Sequence, residues 1–463
     1  MEKKERGSFK GNLGFVLAAA GSAVGLGNIW RFPYLAARDG GGLFLVIYIV
    51  LALTFGFALL TTEVAIGRNT KQSPLTAYGQ LKKEWKWLGG LAYIIPFLIM
   101  PYYCVIGGWV IKYFIAFLTG QGNAAANDGY FTGFITSEVE PVVYMILFLG
   151  ACAAIIALGV SGGIEKSSRI IMPILLVLVV GIAIFSMTVK HTGEDGTIVR
   201  GIDGMKVYLI PNLEGVTLKK FFYIVTDALG QLFFSLSVAM GIMIAYGSYV
   251  PDDANLVKSI NQIEIFDTLV AFLAGVMIIP AVYVFMGAEG MASGPSLMFV
   301  SLPKVFQAMG PVGNVIGTLF FAMVLFAAVT SGMSVLEAIV SSLIDGFHMS
   351  RGKAVLFESV IALVIGIVVC LGYNVWYFEV GLPNGSTAQI LDILDYISNY
   401  IFMPVVAFGT CILVGWILKP EFIMEEAGKN GETFGRRRLY IAMIKYVAPV
   451  LLLVLFLMSV GVL

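Results

Sequence analysis

Long runs of apolar residues alternate with short polar segments along the whole chain. The runs predict about eleven membrane-spanning helices, because each is near or above the roughly 20 residues that a spanning helix needs. They lie at residues 13–37, 42–67, 88–118, 141–159, 167–188, 221–249, 261–286, 313–345, 354–373, 388–418 and 439–462. A transmembrane β-barrel would instead show short segments of alternating polarity. The pattern therefore predicts an all-α polytopic membrane protein.

The first apolar run is interrupted near its middle, at residues 21–33. Three glycines fall within seven residues there, namely Gly21, Gly25 and Gly27, and Asn28 follows at once. Each glycine disfavours a helix by roughly 1 kcal/mol relative to alanine. In hydrocarbon, an interrupted backbone is tolerated only where it is buried in protein or lines a cavity. A broken membrane helix commonly binds ions or solutes through its freed backbone groups, so we predict a site for a cation and a small polar solute here.

The sixth apolar run shows the same irregularity, with two serines and a glycine at mid-span in residues 233–241. Two interrupted helices that lie five spans apart suggest an inverted repeat with its binding site between them at mid-membrane. We therefore divide the chain into an N-terminal tail (1–12), a first repeat (13–190), an extracellular loop (191–220), a second repeat (221–420), and a loop with the last span (421–463). Residues 295–308 are mildly amphipathic and are expected to form a short helix that dips toward the site.

The distribution of charge predicts the orientation in the membrane. Most of the 29 Lys and Arg residues fall in the N-terminal tail and in every second connecting segment after it. Because basic residues are enriched on the cytoplasmic side, the N-terminus is predicted to be cytoplasmic and the C-terminus, after eleven spans, extracytoplasmic. The formal net charge of zero argues against nucleic acid as a partner.

Composition agrees with a protein embedded in a lipid bilayer. The chain is 59% hydrophobic and 13% charged, with a mean hydropathy of +0.90, which is outside the range of ordinary soluble proteins. The cysteines all lie in apolar runs without paired spacing, so we expect reduced thiols and not a disulfide or metal site. No cleavable signal peptide is predicted, since the first apolar run is too long and has no processing site.

Several segments together resemble a known family. GSAVGLGNIWRFP (21–33), DGGGLFLVIY (39–48), EVAIGR (63–68), GQLFFSLS (230–237) and AVTSGMS (328–334) are similar to the neurotransmitter:sodium symporters, in particular to bacterial members that transport amino acids. The resemblance covers nearly the whole chain. It implies the leucine-transporter fold, a five-plus-five inverted repeat with unwound helices 1 and 6, and uptake driven by two sodium ions.

The resemblance also implies the ligands of both ions. The first sodium is expected at the carbonyl of Ala23 and the side chains of Asn28, Ser235 and Asp267. An ionisable residue inside a span is a functional candidate by default, although Asp267 could also be a residue near a helix end that reaches the membrane surface. The second sodium is expected at five residues: Gly21, Val24, Ala327, Thr330 and Ser331. Serine and threonine in membrane helices often bond back to their own helix instead.

The family pattern likewise places the solute between the two broken helices. The expected pocket comprises Ser22, Ala23, Leu26, Gly27, Ile99, Tyr103, Phe234, Ser235, Ser237, Ala239, Met240, Ser331 and Val335. Related amine transporters carry aspartate where this chain has Gly25, so a solute with its own carboxylate, an α-amino acid, is favoured. The apolar end of the pocket suggests a neutral hydrophobic or aromatic side chain.

Ion pairs are expected to close the pocket on either side. Arg31 with Asp395 would form the outer gate, and Arg6 with Asp345, supported by Tyr249, the inner one. By the family pattern, Glu63 would bond to the unwound backbone of helices 1 and 6.

The functional prediction is a sodium-coupled amino-acid symporter that works by alternating access. Because Asp267 can supply a fixed negative charge, while Ala271 stands where chloride-coupled members have serine, transport is expected to be independent of chloride. A proton-coupled or exchange transporter of the same fold, and a transport-inactive sensor or channel, remain alternatives. An enzyme is disfavoured, because the sequence shows no nucleophile–base pair and no metal cluster.

Overall fold

The described part of the chain, residues 7–192, 197–291, 296–383 and 385–463 of a computed structural model, is almost entirely helical. Within it, nine unbroken helices are long and apolar enough to cross a membrane. We call them spans 2–5 and 7–11. In chain order they are Gly42–Thr70, Lys83–Leu118, Glu140–Ala157, Val160–Thr188, Leu256–Gly287, Pro311–Phe347, Arg351–Leu371, Ile390–Ile417 and Arg437–Ser459. All correspond to predicted apolar runs.

Span 1 consists of two helical pieces, Asn12–Ala23 and Gly27–Arg38, which meet at an angle of 51°. Span 6 consists of Leu218–Leu236 and Ile242–Gly247. Its first piece carries three charged residues, Lys219, Lys220 and Asp227, and for that reason span 6 is less apolar than the other spans. Both interruptions that the glycine and serine patterns predict are therefore present.

The connections contain short helices and two small hairpins. Helices lie at Pro74–Leu81, Gly122–Ala125, Tyr130–Ile135, Gly201–Leu209 and Pro420–Ala427. Strand Lys190–Thr192 pairs antiparallel with Ile198–Arg200, and Val380–Gly381 pairs with Thr387–Ala388. Residues 297–308 form a π-helical turn, Leu297–Ser301, continued by the helix Leu302–Ala308. The short helix expected in this loop is confirmed.

Several spans contain π-helical turns, at Ala52–Gly56, Val160–Glu165, Tyr396–Phe402, Leu413–Ile417 and Met443–Val447. Such turns leave the regular hydrogen-bond ladder and often occur near functional sites. The buried apolar residues form one continuous core that includes both pieces of span 1 and of span 6. The two broken helices therefore lie inside the protein, where an interrupted backbone is tolerated.

Candidate functional site

The break in span 1 is packed so closely that larger residues would not fit. A Cβ atom on Gly25 would lie 2.5 Å from Oγ of Ser331, and one on Gly27 would lie 2.4 Å from the ring of Phe234. Both distances are shorter than any normal contact of a Cβ atom. The glycines thus interrupt the helix and also let spans 6 and 8 approach the exposed backbone.

The break in span 6 depends on an unusual backbone conformation. Ser237, Ala239 and Gly241 have φ values of 53°, 62° and 76°. The left-handed region is unfavourable for residues with a Cβ atom, so the tertiary structure must hold this segment in place. The buried carboxylate of Glu63 contributes, because its Oε1 accepts a hydrogen bond of 2.6 Å from the amide of Ala239.

Glu63 forms a hydrogen bond with only one of the two broken helices among the described residues. Its second carboxylate oxygen is buried and has no hydrogen-bond partner in the described part of the chain. The contact with span 6 is therefore present, whereas the expected contact with the backbone of span 1 is not. The reason is geometric, since Oε1 is already directed at span 6.

Three of the side chains expected at the first sodium site form one buried cluster. Asp267 Oδ1 accepts hydrogen bonds from Asn28 Nδ2 at 2.7 Å and from Ser235 Oγ at 2.7 Å. Ser235 Oγ also lies 3.0 Å from Asn28 Oδ1. All three residues are fully buried. The expected Ala23 carbonyl lies at the end of the first half-helix of span 1, where it accepts a hydrogen bond from the amide of Gly25 at 3.0 Å.

Tyr48 of span 2 belongs to the same cluster and was missed by the sequence reasoning. Its hydroxyl donates to Ser235 Oγ at 2.9 Å and lies 3.3 Å from Asp267 Oδ2. Tyr48 lies within the DGGGLFLVIY segment that carries part of the family resemblance, and this was the available signal. The cluster now places one carboxylate, one amide and two hydroxyl groups together, which are the oxygen ligands that a hard cation prefers.

The residues expected at the second sodium site are only partly brought together. Ser331 Oγ donates to the carbonyl of Ser22 at 2.9 Å and lies 3.5 Å from that of Gly21. Thr330 Oγ1 instead bonds to carbonyls of its own helix, Ala327 at 3.0 Å and Phe326 at 3.1 Å. The Thr330 hydroxyl is therefore bonded within its own helix, as the sequence allowed, because a threonine in a helix readily reaches back one turn. The carbonyl of Val24 lies in the break of span 1, at the residue that ends the first half-helix.

Polar groups connect the two breaks directly. Ser22 Oγ and Ser237 Oγ are 3.0 Å apart, and Ser237 Oγ also lies 3.0 Å from the carbonyl of Ser22. Gln231, which the sequence reasoning did not single out, donates to the carbonyl of Gly27 at 3.0 Å. The hydroxyl of Tyr103 is buried without a hydrogen-bond partner in the described residues, and it lies 3.6 Å from the position of a Cβ on Gly25. A buried polar group of this kind favours a ligand that can accept its hydrogen bond.

The remaining expected pocket residues are apolar and buried. Leu26, Ile99, Ala239, Met240 and Val335 are each exposed by 3% or less. Phe234 is partly buried and packs against Gly27.

A cavity of about 570 Å³ extends from the end of the bundle where the second piece of span 1 ends as far as Phe234, the one expected pocket residue in its wall. Its walls include Trp30, Tyr102, Phe234, Phe299 and Asp395. Phe299 belongs to the short helix that was expected to dip toward the site. Since Phe234 also packs against Gly27, this ring lies between the cavity and the break.

The expected ion pair between Arg31 and Asp395 is not formed in this conformation. Both residues line the cavity, but they do not approach within ion-pair distance. Arg31 Nη2 donates to the hydroxyl of Tyr400 at 3.0 Å, and Asp395 Oδ1 accepts from Tyr102 at 3.1 Å. Each charge is held by a neighbouring hydroxyl while the cavity between them is open.

The opposite end of the bundle is closed. Tyr249 donates to Glu337 at 2.6 Å, and Glu337 forms an ion pair with Arg351. The amide of Phe9 donates to the carbonyl of Tyr249 at 3.1 Å, so the N-terminal segment covers this end. Asp345 accepts from the amide of Ser73 at 2.7 Å.

Only part of the closure at this end could be predicted from the sequence. Arg6, the expected partner of Asp345, lies outside the described residues. Glu337 and Arg351 were missed, although a carboxylate inside span 8 was a signal in itself.

Comparison with known proteins identifies the family. The model of the sodium:neurotransmitter symporter family matches residues 6–133 and 131–463. The chain belongs to this family. An uncharacterised sodium-dependent transporter of Haemophilus influenzae is 33% identical over 98% of each chain, and the human sodium- and chloride-dependent GABA transporter 2 is 25% identical over 82% of this chain and 70% of its own length.

A solved structure confirms the architecture. The crystal structure of MhsT in complex with L-phenylalanine has a TM-score of 0.86 and 32% identity to this chain, and the match covers 98% of this chain and 100% of MhsT. The predictions of the neurotransmitter:sodium symporter family and of an all-α membrane protein with the leucine-transporter fold are both confirmed. The protein is an integral membrane transporter of a sodium-dependent family and not an enzyme.

Proposed function

We propose that this symporter couples the uptake of a neutral hydrophobic or aromatic amino acid to two sodium ions. The observation that carries the proposal is the meeting of two helix breaks beside the buried cluster of Asn28, Ser235 and Asp267. An amino acid bound there would place its carboxylate beside the Tyr103 hydroxyl, which has no hydrogen-bond partner among the described residues.

The charges of the site support an α-amino acid. The first amides of a helix have no partner within that helix, so Leu26 and Gly27, at the start of the second half-helix of span 1, suit a carboxylate. Gly25 offers no counter-charge for an amine without its own carboxylate. The crystallised complex of MhsT contains L-phenylalanine, which has both charges and an aromatic side chain.

Asp267 supports independence from chloride. Its carboxylate is fully buried in the cluster proposed to hold the first sodium, and the following turn of span 7 carries Ala271, which has no hydroxyl group. A fixed carboxylate supplies beside the cation the negative charge that a bound chloride would otherwise provide. The family contains chloride-dependent members such as the GABA transporter above, and independence from chloride would distinguish this chain from them.

The transport cycle follows from the two closures. In this conformation the cavity is open at the end where Arg31 and Asp395 are apart, while Glu337, Arg351 and Tyr249 close the other end. After binding, Arg31 and Asp395 would come together and the contacts among Glu337, Arg351 and Tyr249 would separate. The solute would then be released on the side of the N-terminus. The distribution of basic residues supports a cytoplasmic position for that side.

Uptake into proteoliposomes tests the function. A panel of labelled amino acids and amines is offered with a sodium gradient, with potassium in place of sodium, and with gluconate in place of chloride. We expect accumulation of phenylalanine- or leucine-like substrates only with sodium, and unchanged uptake in gluconate. Uptake driven equally well by a proton gradient without sodium would favour the proton-coupled alternative, and loss of uptake in gluconate would contradict chloride independence.

A further inference from the structure

A basic residue, Lys445, lies within the apolar part of span 11. Lys445 is eight residues after Arg437, the first residue of this span, and the described residues provide no ion pair for it. Its ammonium group lies 5.3 Å from the centre of the Trp416 ring. A charged side chain within a span usually has a partner or reaches the membrane surface.

The backbone around Lys445 is held firmly. The indole of Trp416 donates to the carbonyl of Lys445 at 3.1 Å. Span 10 comes close at Gly415, where a Cβ atom would lie 3.0 Å from the carbonyl of Ile444. Tyr446 packs edge-on against Trp416, with ring centres 5.7 Å apart. Lys445 and Trp416 therefore form a fixed feature at the junction of two π-helical turns, Leu413–Ile417 and Met443–Val447.

This feature lies on an exposed face of the bundle. Trp416 and Tyr446 are 54% and 55% exposed, and Val450 and Leu453 continue the same apolar face at 61% and 49%. Arg438 is exposed and lies two helical turns before Lys445, about 10 Å along the axis. Tryptophan and tyrosine are typical of the membrane interface, and a lysine inside a span can extend its ammonium group toward the headgroups. The Lys445 side chain can therefore reach toward a headgroup near Arg438, and acyl chains can cover the apolar face beyond.

We propose that Lys445, Arg438 and Trp416 form a binding site for the headgroup of an anionic phospholipid. The phosphate supplies a negative charge that no carboxylate of the described residues provides to Lys445 or Arg438. The exposed carboxylates of the neighbouring helix Pro420–Ala427, Glu421 and Glu425, form no ion pair with these cations among the described residues. The nearby Arg436 is different, because its guanidinium is already occupied by Glu264, at 2.6 Å.

Binding of phosphatidylglycerol and phosphatidylcholine to the purified full-length protein in mixed micelles, followed by native mass spectrometry, tests the site. We expect preferential binding of phosphatidylglycerol, weakened about fivefold by Lys445→Gln and about fivefold by Arg438→Gln, since each cation near anionic lipid contributes about 1 kcal/mol. Lys353→Gln removes the same charge at the start of span 9 and serves as the matched control, with little effect expected.

A variant that retains the charge of Lys445 separates loss of lipid binding from misfolding. Lys445→Arg retains the charge and should retain lipid binding, so that a loss in the glutamine variant but not in this one cannot be ascribed to misfolding. Equal weakening in all glutamine variants, including that of Lys353, would overturn the proposal in favour of diffuse surface charge. Equal binding of both lipids, or occupancy by inorganic phosphate without any preference for phosphatidylglycerol, would also overturn it.

Discussion

Replacement of Asp267 by asparagine would remove one charge from the proposed first sodium site and leave its shape intact. The amide oxygen can take the place of Oδ1 and accept the two 2.7 Å hydrogen bonds from Asn28 and Ser235. The amide nitrogen then faces the Tyr48 hydroxyl, 3.3 Å from the present Oδ2, and this oxygen can accept a hydrogen bond. The variant thus isolates the electrostatic contribution of the carboxylate.

The expected effect is large because the site excludes water. Asp267 is fully buried, and loss of one partner of a buried ion pair costs about 3–5 kcal/mol. The remaining oxygen atoms of the proposed site would still be able to coordinate sodium, so we take the lower limit of this range. About 3 kcal/mol corresponds to a rise of roughly 100-fold in the sodium concentration at half-saturation, since each 1.4 kcal/mol is a factor of ten.

Sodium titration of amino-acid uptake in proteoliposomes measures this shift. Asp227→Asn is the matched control, because it removes the same charge from the wall of the cavity, where the side chain is 35% exposed and paired with Arg38. Exposed pairs contribute only about 0–1 kcal/mol, so the control should change the sodium requirement less than about fivefold. An unchanged sodium requirement in a folded Asp267→Asn variant would refute the assignment of this carboxylate to a sodium site.

Three further substitutions test other parts of the site. Gly25→Ala places a methyl group 2.5 Å from Ser331 Oγ, so we expect uptake to fall at least tenfold with normal expression. Near-normal uptake would contradict the close packing of Gly25 against Ser331. Ala239→Gly removes a methyl group from the left-handed segment of span 6. In competition assays, we expect the affinity for bulkier aromatic amino acids to rise several-fold relative to smaller ones. An unchanged order of affinities would argue against a role of Ala239 in specificity. Arg351→Gln leaves the buried carboxylate of Glu337 without its cation, and this should weaken the closed end of the bundle. We expect a cysteine introduced near Glu337 to be labelled faster by a thiol reagent added from the side of the N-terminus. An unchanged labelling rate would contradict a gating role for the Arg351–Glu337 pair.

The spans and the two interruptions could be predicted because they depend on local composition. A run of about 20 apolar residues is sufficient to cross the membrane wherever its neighbours lie. Glycines in span 1 and the serine–glycine segment in span 6 weaken the helix within the same few residues. The exact backbone at Ala239 could not be predicted, because a residue with a Cβ atom adopts positive φ only when packing and a partner such as Glu63 enforce it.

The partners of polar residues were the least predictable part of the site. Sequence motifs placed Asn28, Ser235 and Asp267 together, but the position of Tyr48 between Ser235 and Asp267 depends on the rotation of span 2 about its axis. Span 10 offers Arg31 two possible partners, Asp395 and Tyr400. With the cavity open, Arg31 forms its hydrogen bond with Tyr400 and not an ion pair with Asp395. The sequence shows which residues are charged, but it does not show which partners they have at a given stage of the transport cycle.

The sequence by itself determined the membrane-spanning architecture, the positions of both helix breaks and the family, because these depend on hydropathy and on motifs read along one segment. The tertiary structure alone decided that the cavity is open near Arg31 and that Glu337 and Arg351 close the opposite end. Such pairings join residues of different helices, and they depend on helix rotation and separation, which are set by packing of the whole bundle and not by any single segment.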